Sequence, residues 1–250
     1  MVRPMQHDLL SEEELRSYKE RGYFLYRKQL FDDTDLAALE GIFQEHRAME
    51  GGKRGDEFDT PHFEDRRLLD YLLAPTVLDL VESIIGPDIV LWSSHFISKD
   101  PFIGRATPWH EDSTYWTGRL DRYDKLVTVW LALDDVDTGN GCMQVIPGSH
   151  LKGGFSSYRN VDASKNTFST EISDIDLTNA VAFELHRGEC SLHDGRIQHG
   201  AHVNESPRRR LGYTMRYLSA EVEVVAERNV GHRLWLARGK PVADNHYENG

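Results

Sequence analysis

The chain has 250 residues, with 29 Lys and Arg against 41 Asp and Glu and a formal charge of −12. That length suits one large domain, 1–250, able to bury a substantial core. Its acidic excess repels a phosphate backbone and argues against nucleic acid as a partner.

The N-terminal stretch MVRPMQHDLLSEEELRSYK has no apolar core of signal-peptide length, and no later segment approaches the roughly 18 continuous apolar residues of a membrane span. The two cysteines, Cys142 and Cys190, lack short-range pairing and stand in apolar surroundings, so they predict buried thiols rather than a zinc motif or disulfide framework. A soluble protein of a reducing cytoplasm, with no membrane partner, is the expectation.

Ser11 and Glu14 have the spacing of a capping box, and Leu10 can staple against Leu15, so a first helix is expected from Ser11 to about Gly22. YFLYRKQLF, Tyr23 to Phe31, reads as a strand. The acidic Asp32 to Asp35 then suits the positive end of a second helix, whose apolar stripe is Leu36, Leu39, Ile42 and Phe43. From Gly51 to Arg67 the chain is charged and lacks either period, as expected of a solvated connector; in an enzyme such a segment can also serve as a lid. Helical character returns at LLDYLLAPTVLDLVESIIG, with Pro75 in a first turn and Gly86 as C-terminal cap.

Beyond Gly86 the pattern changes to strand-like runs at 89–98, 126–133, 143–146, 180–185, 190–193 and 211–219, separated by turn signals such as DTGNG and PGSH. Helices first and a β-rich body after is an α+β order, with the strands expected to form a sandwich or jelly roll. In LVTVWLAL, Val127, Val129, Leu131 and Leu133 share one face, and Leu126, Thr128, Trp130 and Ala132 share the other. Both faces are mostly apolar, as in an inner strand. Thr128 and Trp130 either line a cavity or pack in the interior, packing being the simpler role.

PWHEDSTYW, Pro108 to Trp116, concentrates the chemistry. On a strand the side chains of His110 and Asp112 project from one face and Glu111 from the other. His-x-Asp supplies two of the three ligands of a two-His, one-carboxylate facial triad, the arrangement that leaves positions open on non-haem Fe(II). A third ligand is available among His186, His193, His199 and His202. His199, between two strand-like runs and followed by Gly200, is the best placed. Arg210 opens the next strand, where it can return beside His199. A guanidinium there can hold a distal carboxylate in two parallel hydrogen bonds, as 2-oxoglutarate would require. Arg209 and Arg210 alternate across the strand, so one of them at most faces inward, and Arg208 reads as a solvated tip.

The segments PWHEDSTYW, VWLALDDVDTGNGCMQVIPGSH and HGAHVNESPRRRLGYTMRY, in this order, together with the lead-in GYFLYRKQLF, resemble the phytanoyl-CoA dioxygenase family of Fe(II)/2-oxoglutarate-dependent oxygenases. The likeness runs from about Tyr23 to Tyr217. It implies a double-stranded β-helix (jelly roll) with N-terminal helices packed on it, iron held by His110, Asp112 and His199, and the 2-oxoglutarate tail on Arg210. It further implies Lys99 near the cosubstrate or substrate, Trp130 as an inward tryptophan on the cofactor side, and Asn140, at the family's NG turn, as a further cofactor-side residue, where tolerance of positive φ is the competing role.

Two positions bear on the chemistry. Many relatives carry a serine two residues after the distal histidine to contact 2-oxoglutarate; Ala201 stands there in this chain. Halogenating relatives carry Gly or Ala at the carboxylate position, so Asp112 favours hydroxylation or a related oxidation over halogenation; the resemblance then implies hydroxylation of an unactivated C–H bond of a small molecule by O2, with release of succinate and CO2. Substrate-side candidates are Ser113, Thr114, Tyr115, Trp116 and Arg119, with Trp92, Ser94 and Phe96 on a neighbouring strand. The alternatives are a cupin-like Zn or Mn metalloenzyme on the same ligands, which leaves Arg210 without a role, and a binding module that has lost catalysis.

Overall fold

The computed structural model describes residues 9–49 and 54–248; the first eight positions and 50–53 of the charged loop lie outside them. Ser11 caps α1 (Glu12–Arg21) in a reciprocal capping box with Glu14, and Gly22 ends it at φ 81°. Leu10 and Leu15 both join the main core. β1 (Tyr23–Tyr26) ends five residues short of the strand expected to run to Phe31. Beyond it the chain turns inward, burying Leu30 and Phe31 completely ahead of the next helix. Asp32 Oδ1 accepts the Asp35 amide at 2.9 Å and so caps α2 (Asp33–Met49), which buries all four residues of its predicted stripe.

Residues 54–68 are more ordered than a solvated connector. β2 (Phe58–Asp59) pairs with the sheet, Phe58 and His62 are buried, and Asp56 holds Arg105 in a two-pronged ion pair at 3.0 and 3.1 Å. α3 (Leu69–Leu72) and α4 (Pro75–Ile85) follow, with Pro75 at the first helical position and Gly86 closing α4 at φ 91°. The remaining strands are β3 (Ile89–Lys99), β4 (Thr107–His110), β5 (Leu126–Ala132), β6 (Met143–Val145), β7 (Tyr158–Asn160) and β8 (Thr170–Ile172). They are followed by β9 (Val181–Ala182), β10 (Cys190–His193), β11 (His199–Ala201), β12 (Arg210–Ser219) and β13 (Trp235–Arg238).

These strands make a large antiparallel sheet, β1-β10-β5-β12-β3-β13 with β2 also on β3, and a smaller one, β4-β11-β6-β9; β7 and β8 form a separate hairpin. The helices cover one face of the large sheet. There Phe43 packs against Phe58 and Phe96, with ring centroids 5.7 and 5.3 Å away, and Phe96 packs against Tyr213 at 4.3 Å. The other face turns toward the small sheet, and the site lies between them. β5 is an inner strand, buried at every position, with Val127, Val129, Leu131 and Leu133 in the helix-side core. Cys142 and Cys190 are buried free thiols, and no helix among the described residues is long and apolar enough to cross a membrane.

Because the Phe43 ring is fully enclosed between the α2 layer and the sheet, Phe43→Ala is expected to cost about 3–5 kcal/mol of stability. Urea denaturation of the variant should show the midpoint lowered at an unchanged slope.

Candidate active site

β4 and β11 are adjacent in the small sheet, and their register places His199 opposite His110. The strand stops at His110. Glu111 is still extended (φ −109°, ψ 128°), but Asp112 opens a short 3-10 turn that runs to Trp116, so the two-residue alternation holds although the regular strand does not. His110, Asp112 and His199 each offer a ligand atom, all within 4.8 Å of one another, and all three residues are buried. Each imidazole donates through Nδ1 to a backbone carbonyl: His110 to Pro108 at 2.7 Å and His199 to Ile197 at 2.9 Å. These bonds set the tautomer, leaving both Nε2 lone pairs directed at the carboxylate, at 3.4 and 3.8 Å from Asp112 Oδ1.

Glu111 points away, as expected from the alternation. Its carboxylate accepts from the Ser156 hydroxyl and amide, Tyr158 and Thr114, tying the segment that leads into β7 to the back of the triad. Asp112 has a further partner that the motif did not reveal. Arg216 Nε donates to Asp112 Oδ2 at 3.1 Å. Burial alone would raise the Asp112 carboxyl, but the Arg216 charge and the two histidines hold it well below the usual carboxylate range. Burial, then the neighbouring His110, pushes His199 well below the usual imidazole value. His193, on β10 beside His199 at 5.3 Å between centroids, is drawn down to about 4 chiefly by burial. The triad thus offers two imidazole Nε2 atoms and one carboxylate, the donor set suited to a divalent ion.

The triad opens on a cavity between the two sheets, whose walls include Trp130, Ala201, Arg210 and Thr214. Of the three consecutive arginines, Arg208 pairs with Asp137 at the surface and Arg209 with Asp134 and Glu40. Arg210 is the one that faces inward. It is 2 % exposed, and neither Nε nor Nη2 has a protein partner. Burial lowers its pKa to about 10. A buried cation with unused donors is costly unless an anion satisfies it. Trp130 lines the cavity too, its ring 5.3 Å from the Arg210 guanidinium, whereas Thr128 is absent from that wall.

Gly212 makes room for that indole. A Cβ there would lie 2.1 Å from Trp130 Cζ2. Gly212→Ala should cost about 1–3 kcal/mol through overpacking. Most of that loss should disappear in a Trp130→Phe background, giving a double-mutant coupling of roughly 1 kcal/mol or more by urea denaturation.

Several sequence candidates sit elsewhere. Lys99 does not line the cavity: its Nζ donates to the carbonyls of Arg105 and His202, binding together the chain ends around β3 and β11. Asn140 does sit in the NG turn but is absent from the cavity wall. It is the third helical residue of a capping box with Asp137, it donates to Asp135 O at 2.8 Å, and positive φ falls on Gly141 instead. Ser113 is enclosed behind the triad, its amide on Gly195 O at 2.8 Å, and Thr114 is held by Glu111.

Ser94 and Phe96 point to the helix side, where Ser94 Oγ meets His62 Nδ1 at 2.7 Å. The reason is a bulge. β12 pairs Arg216 with Ser93 and then Tyr217 with Leu91, leaving Trp92 as the extra residue. An extra residue reverses the phase of alternation, so Trp92 no longer shares a face with Ser94 and Phe96. Trp92, Tyr115, Trp116 and Arg119 do come together, in a second cavity that shares Asp112, His95, Phe168 and Arg216 with the first.

Comparison with known proteins points the same way. The model of the phytanoyl-CoA dioxygenase family matches residues 6–212. The peroxisomal phytanoyl-CoA dioxygenase of Bos taurus is 26% identical over 260 residues, covering 90% of this chain and 75% of that protein. Among solved structures, the apo form of the non-heme monooxygenase ThoJ is 27% identical with a TM-score of 0.75, over 90% of this chain and 84% of the other. SnoK, a non-heme alpha ketoglutarate dependent carbocyclase from nogalamycin biosynthesis, is 25% identical with a TM-score of 0.70 over 88% of each chain.

Proposed function

The chain belongs to the phytanoyl-CoA dioxygenase family, and on that basis we propose that it is a single-domain Fe(II)/2-oxoglutarate-dependent dioxygenase, a double-stranded β-helix that hydroxylates an unactivated C–H bond of a small molecule. The observation that carries this reading is the pairing of two features on one cavity wall: a buried two-His, one-carboxylate cluster, and a buried guanidinium with unused donors. His110, Asp112 and His199 would hold the metal, and Arg210 would hold the far carboxylate of 2-oxoglutarate. When bound, iron and 2-oxoglutarate together would supply the activation of O2 and the oxidation of the C–H bond, with succinate and CO2 released.

The protein's own part is positional. Backbone carbonyls orient both imidazoles, Arg216 fixes the second oxygen of Asp112, and Trp130 walls the cosubstrate side against water. A carboxylate at Asp112 would fill the position that a halide needs on a bound metal, which supports hydroxylation over halogenation. Anaerobic addition of 2-oxoglutarate to the Fe(II)-loaded protein should produce a weak visible charge-transfer band. Aerobic turnover with the right substrate should form succinate in step with a product heavier by one oxygen atom.

A zinc or manganese enzyme on the same three ligands is the second reading, since two imidazoles and a carboxylate suit those ions as well. It leaves the unused donors of Arg210 without a purpose. Absence of the band together with zinc-dependent activity would establish it.

A further inference from the structure

The second cavity lies against the triad through Asp112 and is built around a cation of its own. Arg119 stands over the Trp92 ring at 4.8 Å, with its Nε donating to Asn229 Oδ1 at 2.8 Å and Nη2 reaching His232 Nδ1 at 3.4 Å. Both acceptors are neutral. His232 bonds through Nε2 to Trp92 O at 2.8 Å, which leaves Nδ1 as the acceptor, and burial lowers its pKa. Asn229 in turn donates to the Arg119 and Val225 carbonyls, clamping the arginine from both ends. Neutral acceptors thus orient the guanidinium, and the carboxylate that acts on it, Asp59, does so through space while itself lying close to His95, so the arginine stays open as a preorganised anion receptor.

Around it stand rings suited to an apolar body. Trp92 and Trp116 meet edge to face at 6.2 Å, and Tyr115 and Phe168 lie 5.1 Å apart on the side of His110. The remaining charges facing this space are Arg216, engaged with Asp112, and Asp59, whose side chain is 70 % exposed and 3.8 Å from His95. A second negative charge on the ligand would meet Asp59, so a monoanion suits the cavity better than a phosphorylated carrier.

We propose that this cavity binds a substrate with an aromatic or alicyclic body and a single carboxylate, the carboxylate seated on Arg119 and the body between the ring pairs, directed at the triad. The proposal rests on the triad being the reacting centre. Asn229 and His232, which aim Arg119, lie beyond residue 212, where the family match ends. The anchor is therefore assembled partly by the C-terminal segment.

The test uses the full chain loaded with Zn(II) and N-oxalylglycine, titrated with 3-phenylpropanoate, indole-3-acetate and 2-naphthoate and with their primary amides, binding being read by calorimetry. At least one acid should bind roughly tenfold or more tightly than its amide, since an amide forfeits the charge-assisted bond. Arg119→Gln should erase that preference while leaving amide binding unchanged, and Arg119→Lys should restore part of it. The preference should survive Arg210→Met. The proposal is overturned if acids and amides bind alike, if no acid binds, or if the preference follows Arg210 rather than Arg119. The charge-transfer band of the Fe(II)-loaded protein with 2-oxoglutarate tests the preceding reading separately, and Arg119→Gln should retain it.

Discussion

His199→Ala is expected to abolish succinate formation, with activity falling by about three orders of magnitude or more, because it removes one of the three converging donors. The cause should be visible in the metal itself: Fe(II) content after desalting and the charge-transfer band both lost, with the thermal midpoint of the metal-free protein changed little. His110→Ala should behave alike. Arg216→Met is the informative contrast, since it leaves all three ligands in place and frees only Asp112 Oδ2. Losing such an outer partner should weaken metal affinity or activity by roughly 10–100-fold rather than abolish it. Full activity in His199→Ala would remove the triad from the chemistry.

Arg210→Met carries the second large effect, and its sign differs between the two states of the protein. Without 2-oxoglutarate, Arg210 is a buried charge with two unpaired nitrogens, and exchanging it for an apolar side chain of similar length should leave stability unchanged or raise it by up to about 1–4 kcal/mol. With 2-oxoglutarate the order reverses. The variant forfeits the bidentate contact to the tail carboxylate, so the KM for 2-oxoglutarate should rise on the order of a hundredfold. Thermal melts should show a rise in midpoint with 2-oxoglutarate in the wild type and little in the variant. A variant with wild-type KM and a lowered metal-free midpoint would make Arg210 a structural residue instead.

What could be read in the chain was what depends on near neighbours. The Ser11–Glu14 box, the stripe of α2 and the turn at Gly86 are local patterns, and each forms where its spacing placed it. β5 announced itself as an inner strand because both of its faces are apolar. The triad was legible for a related reason: His110 and Asp112 are two positions apart, His199 and Arg210 mark the two ends of a strand connection, and family likeness joined the pieces. Lys99 and Asn140 show the limit of that route. A matching position carried a role over, and the surrounding carbonyls assign these two side chains to holding turns and strand ends.

The sequence by itself therefore determined the helical layer, the inner strand and the residues able to ligate a metal, since these depend on periodicity and on side-chain chemistry. Only the tertiary structure decided which of them face one another. Arg216 reaches Asp112 across 104 positions and Asn229 reaches Arg119 across 110, and neither pair leaves a local trace. The single extra residue at Trp92 reverses the alternation of β3 and sends Ser94 and Phe96 to the helix side, because sheet register is set by pairing with β12, which the sequence of one strand does not contain.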